Sequence, residues 1–125
     1  MSPLGVVRHL ALGAVALGAL ALGALSCARA DAAVAGEPRT HEVTMRAVSF
    51  TPKELVVAVG DTVQWVNADI VRHNAVRPGL FDTGELRPGA KHAWIPSDTG
   101  EVMYRCTIHQ RMRAKVTVVA RQPKD

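Results

Sequence analysis

The chain reads as an all-β protein, one sandwich domain behind an N-terminal signal segment, and three observations carry that reading. From residue 41 onward the segments are short and rich in β-branched residues. Turn-forming residues separate them, and no helical periodicity survives beyond the first 30 positions.

The segments expected as strands are 42–51, 54–59, 62–67, 91–95, 101–106 and 115–120. Gly60 and Asp61 form a turn between two apolar strands. Pro78-Gly79, Pro88-Gly89 and the Asp98 to Gly100 stretch punctuate the second half. Trp65 and Trp94 fall within these strands as core packing, and His41 and His92 are expected at the surface.

The start of the chain is of another kind. Arg8 and His9 precede an apolar run of Leu, Ala, Val and Gly over residues 10–25, and Ala28-Arg29-Ala30 has the small-x-small pattern of a cleavage site. The run is shorter than the roughly 20 residues that cross a bilayer core. Residues 1–30 are therefore expected to be a signal peptide, with a mature chain beginning at Asp31 in the periplasm or outside the cell. The competing reading places a lipid on Cys27, which would tether the domain to the outer side of the membrane without a membrane span. Residues 31–40, Ala-rich with Gly36 and Pro38, are expected as a flexible lead-in, and residues 41–122 as the folded domain.

Charge and cysteine content narrow the function. The whole chain carries net +4, but loss of Arg8 and Arg29 with the leader leaves 13 basic residues against 11 acidic ones. That balance, with aromatic residues at 4%, argues against a nucleic-acid partner, which needs a basic stripe and stacking rings. Cys27 is lost or blocked on either route, so Cys106 is left alone. A lone thiol in an oxidising compartment needs burial or a metal.

Tyr104 to Met112 supplies the metal chemistry. Cys106, His109 and Met112 recur at three-residue intervals between two expected strands, so one tight loop can aim a thiolate, an imidazole and a thioether at one point. With His73 brought from a neighbouring strand, this is the donor set of a trigonal His₂Cys copper site with a long Met contact. A lone Cys or Met is ordinary core filling and a lone His an ordinary polar group, but four donors in this order are not. Zinc would suit Cys and His, whereas the Met112 thioether favours copper.

These residues resemble the plastocyanin and amicyanin family of cupredoxins over Trp65 to Val118. The matching features are His73-Asn74, the segment from Phe81 to Gly89, Gly100, and Tyr104 leading into the ligand loop. The resemblance implies a Greek-key β-sandwich as a plastocyanin-like copper-binding domain, one type 1 copper ion cycling between Cu(I) and Cu(II), and no enzymatic activity. It also implies that Asn74, opposite Thr107, ties the two ligand segments together. The Cys-x-x-His-x-x-Met spacing is closer to amicyanin than to plastocyanin. Ile108 and Gln110 stand where such loops often carry proline, and Ala114 where glycine commonly follows the Met.

Two functions remain on this reading. One is a monomeric electron carrier that meets redox partner proteins near His109, with Arg111, Arg113 and Lys115 as a docking surface for an acidic partner or simply a solvated face. The other is a copper-binding module for storage, sensing or delivery. A copper enzyme would need a second metal or an open coordination position, for which the chain is too poor in histidine.

Overall fold

The computed structural model describes residues 34 to 124. The leader, with Cys27 and both cleavage alternatives, lies outside the described residues. Eleven strands are present: β1 (Val34–Ala35), β2 (Thr40–Arg46), β3 (Ser49–Thr51), β4 (Glu54–Ala58), β5 (Thr62–Asn67), β6 (Val76–Arg77), β7 (Phe81–Asp82), β8 (Lys91–Trp94), β9 (Gly100–Arg105), β10 (Arg113–Val119) and β11 (Arg121–Gln122). One sheet runs β4-β10-β9-β6-β7 and the other β3-β2-β5-β8, with β1 and β11 forming a small third pair. Both large sheets are mixed. β4 pairs with β10 and β2 with β5 in parallel, and the remaining pairings are antiparallel.

The period-two alternation expected of half-buried strands sets the core. Along β5, Val63, Trp65 and Asn67 point inward; β10 contributes Ala114, Val116 and Val118, and β9 contributes Val102 and Tyr104. Val43 and Met45 of β2, next to β5 in the same sheet, join its inner face opposite β9 and β10. Each such apolar side chain stabilises the fold by about 1.5–3 kcal/mol relative to exposure. At the centre, the Trp65 ring lies 4.8 Å from Phe81, 5.5 Å from Tyr104 and 6.4 Å from Trp94. Burial pushes the Tyr104 phenol up to about 12, so it stays neutral at any physiological pH.

Two details differ from the sequence expectation. The segment expected as one strand over 42–51 is a hairpin, β2 and β3, joined by Ala47 and Val48 with φ of 51° and 54°. Both central residues are left-handed, as a tight two-residue hairpin turn requires, although Gly or Asn usually occupies these places. The lead-in is not wholly free: Val34–Ala35 pairs with Arg121–Gln122, and Thr40 already belongs to β2.

Asp61, in the β4–β5 turn, fastens this end of the sandwich. Its carboxylate accepts the Arg39 amide at 2.8 Å and the Ala58 amide at 3.0 Å, lies 2.8 Å from His41 Nε2, and receives the Arg121 guanidinium. Burial alone would raise its pKa. The Ala58 and Arg39 amides, then His41 and Arg121, outweigh burial and hold the carboxyl well below the usual range. His41 is accordingly half-buried in an ion-pair network, where a surface position was expected.

Candidate metal centre

The site sits at the other end of β5. Asn67, the last residue of that strand, is fully buried and donates its side-chain amide to the Val71 and Leu86 carbonyls, each at 2.8 Å. These bonds shape the 68–72 loop that leads to His73. His73 in turn forms a β-bridge with Leu86, its amide donating to the Leu86 carbonyl at 3.2 Å and its carbonyl accepting the Leu86 amide at 2.7 Å. The His73 backbone is thus fixed from both sides.

The second segment is the turn from Cys106 to Met112 between β9 and β10. The Cys106 amide donates to the Met112 carbonyl at 2.9 Å, and the Met112 amide to the His109 carbonyl at 3.0 Å. Arg113 Nε donates to the Gln110 carbonyl at 3.2 Å. Three bonds across a short loop supply the rigidity that Ile108 and Gln110 would not supply as prolines do. Ala114 is buried in the sheet core, where its methyl packs without strain.

Asn74 joins the two segments as the resemblance implied. Its Nδ2 donates to Thr107 Oγ1 at 2.7 Å, and its Oδ1 accepts the Thr107 amide at 2.7 Å.

Within this frame the ligating atoms of His73, Cys106 and His109 all lie within 4.8 Å of one another. The two Nδ1 atoms are 3.1 Å apart, and Cys106 Sγ is 3.9 Å from His109 Nδ1. Cys106 and His73 are fully buried, Met112 is buried beside them, and His109 is partly exposed. Burial answers the liability of a lone thiol, and Cys106 is the free cysteine of the described residues. Two imidazoles and a thiolate converging at one end of the sandwich, with the buried Met112 thioether at the close of the same loop, fit one type 1 copper ion.

Besides Asn67, a second contributor was missed in the sequence, Asp69. Asp69 Oδ2 lies 2.9 Å from His73 Nε2, which leaves Nδ1 as the nitrogen facing His109. The same oxygen accepts the Val48 amide at 3.0 Å, and Oδ1 accepts the Ile70 amide at 2.8 Å. The hydrogen bond with His73, followed by those two amides, holds the Asp69 carboxyl down at about 2. A carboxylate four residues before a ligand histidine was the available clue; its meaning depends on the 68–72 loop folding back. The left-handed Val48 turn thereby acts on the site through Asp69.

Comparison with known proteins agrees with this geometry. No family model matches the chain. The amicyanin of Paracoccus versutus is 30% identical over 95 residues, covering 71% of this chain and 66% of the relative. The amicyanin of Paracoccus denitrificans is 33% identical over 82 residues, covering 61% of this chain and 63% of that protein. The chain thus spans just under two thirds of each curated relative. Among solved structures, a purple cupredoxin from Nitrosopumilus maritimus superposes with a TM-score of 0.57 at 26% identity, over 62% of this chain and 97% of that one.

A mixed two-sheet sandwich that closes on a His, Cys, His cluster at one end is the architecture of a cupredoxin, and this chain is cupredoxin-like. Within it, the curated relatives and the short spacing of the ligand loop make it an amicyanin-like blue copper protein.

Proposed function

We propose that the protein is an exported, non-enzymatic carrier of single electrons, in which His73, Cys106, His109 and Met112 would hold one copper ion. The observation that carries this reading is the contrast in burial within one rigid frame: His73, Cys106 and Met112 are enclosed, and His109 alone among the four reaches the surface. Copper, when bound, supplies a one-electron couple. The residues do the rest. The Asn74–Thr107 bonds, the His73–Leu86 bridge and the Cys106–Met112 closure hold the four donors in one arrangement, so little reorganisation accompanies a change of charge. Enclosure by the apolar core keeps water from the thiolate, and the partly exposed His109 edge gives a partner a short route to the site. The same enclosure speaks against storage or delivery, which would need donors a partner protein can reach.

The test is cyclic voltammetry of the copper-loaded protein in the presence of a strong Cu(I) chelator. A reversible one-electron wave with copper retained over many cycles is expected. Copper lost to the chelator on reduction would instead support delivery. Export rests on the leader: mass spectrometry of protein from an exporting bacterial host should give a chain starting at Asp31, and a diacylglycerol adduct on Cys27 would replace that reading with a tethered domain.

A further inference from the structure

The outer face of the five-stranded sheet carries a charge arrangement that the fold does not need. In β9 and β10, Arg105 and Arg113 are direct cross-strand partners, and both are exposed. Facing side chains in such a pair stand about 4.5–5.5 Å apart at Cβ, and like charges there are destabilising. Arg77 of β6 joins them, its Nη1 donating to the Met103 carbonyl at 3.2 Å. The three arginines line one cavity of about 190 Å³ with Val76, Pro78, Met103 and the otherwise buried Tyr104, and no carboxylate contributes to its wall. Among the described residues, none of the three guanidinium groups is in an ion pair.

A second cavity of about 280 Å³ adjoins the first through Met103 and Arg113 and adds Lys53, Glu54 and Lys115. Lys115 is already paired with Glu101 at 3.1 Å. Among the described residues, the positive charge left outside ion pairs on this face is that of the three arginines, with Lys53 at its margin. Met103, 51% exposed, sits among them as an apolar centre. An apolar residue ringed by arginines is the composition of a protein interface, where Met and Arg are both enriched.

We propose that this face, centred on Met103 and ringed by Arg77, Arg105 and Arg113, docks an acidic surface of a partner protein. It rests on the carrier reading for the partner's redox role. A protein partner fits better than a nucleic acid, because Tyr104 is buried and the face offers no exposed ring on which a base could stack. The face is distinct from the His109 edge, yet Arg105 and Arg113 are bonded in the chain to Cys106 and Met112. A partner held here is one residue from two of the four donors.

The experiment is amide NMR mapping on the ¹⁵N-labelled Cu(I) protein titrated with a decapeptide of glutamate, at low and at moderate salt. Shifts should centre on 76–77, 103–105 and 113–115, and Arg105→Gln/Arg113→Gln should weaken binding at least tenfold and flatten its salt dependence. The single variant Arg105→Gln should melt no lower than the parent, since it removes the cross-strand repulsion and leaves the Arg113–Gln110 bond in place. Shifts centred on 108–110, unchanged affinity in the double variant, or an equal response to a thymidine decanucleotide would overturn the assignment. Voltammetry of the same samples keeps the two readings separate: a reversible wave with no mapped face sinks only the docking surface, and a mapped face with no wave sinks only the carrier.

Discussion

Replacing Asp61 with Asn should cost the fold about 3 kcal/mol while leaving the metal centre untouched. The four groups that converge on the carboxylate are two backbone amides, His41 and the Arg121 guanidinium. An amide side chain keeps one acceptor oxygen and turns the other position into a donor. With the oxygen kept toward Arg39 and Arg121, the Ala58 amide faces an N–H, and Arg121 loses its counter-charge. A buried donor left unpaired costs about 1–3 kcal/mol, and breaking a buried ion pair about 3–5 kcal/mol. Both costs arise at one side chain and do not add in full, and Arg121 keeps bonds to the Val59 and Gly36 carbonyls, so the net loss sits at the lower end of the ion-pair range, about 3 kcal/mol. For a domain of this size, about 3 kcal/mol lowers the Tm by roughly 12–24 °C.

The assay is guanidinium and thermal unfolding of the copper-free protein, with the m-value as a check that the unfolded state is unchanged. Six residues of β5 separate the turn from Asn67, about 20 Å along a strand, so the absorption spectrum of the copper-loaded variant should match that of the parent. The pH dependence has a definite sign. A carboxyl whose pKa is lowered by folding contributes stability that is complete above its unfolded value of about 3.9 and is lost as pH falls toward the folded value. The gap between parent and variant should therefore narrow below about pH 4. A loss under about 1 kcal/mol at neutral pH, or a gap that widens on acidification, would refute the account of Asp61 as the fastening of this end.

Met112→Leu should retain copper and show a raised reduction potential in voltammetry, because losing a donor destabilises Cu(II) more than Cu(I). Asn74→Ala removes both bonds to Thr107 and should lower the stability of the copper-free protein by about 2 kcal/mol, read by thermal unfolding. Its copper-loaded form should also show a changed copper signal in electron paramagnetic resonance, since the two ligand segments are no longer joined. Val48→Gly should raise stability by about 1 kcal/mol, because a β-branched residue in the left-handed region is strained there and glycine is not; a lower midpoint in denaturant would show that the Val48 side chain contributes more than its backbone costs.

The central strands were legible because they alternate. β5 was read at its observed limits, and β4, β8, β9 and β10 within two residues, since β4, β5, β8 and β9 have Gly, Pro or Asp at a boundary and β10 alternates cleanly, with Ala114, Val116 and Val118 inward. The β2–β3 turn was hidden because Ala47 and Val48 carry none of the usual turn chemistry. β1, β6, β7 and β11 are two residues each, too short for any periodicity; β1 and β11 pair across the length of the domain, and the short β6–β7 hairpin joins the sheet only through β9.

The site divides in the same way. Cys106, His109 and Met112 are close in sequence, and their spacing announces the loop. His73 was placed with them as the imidazole the donor set lacked, whereas the Asn74–Thr107 link needed the resemblance. Asp69 and Asn67 escaped notice because each acts through a loop whose path is set by tertiary hydrogen bonds. The arginine face was half seen: Arg113 was singled out beside the loop, whereas its cross-strand partner Arg105 and its neighbour Arg77 come together only in the sheet.

The most direct test of the metal centre is the visible absorption spectrum of the copper-loaded protein beside that of Cys106→Ser. An intense thiolate-to-copper band in the parent, absent from the variant although His73, His109 and Met112 remain, is the expected result. A parent that binds copper without that band, or a variant that keeps it, would contradict the assignment of Cys106 and with it the site.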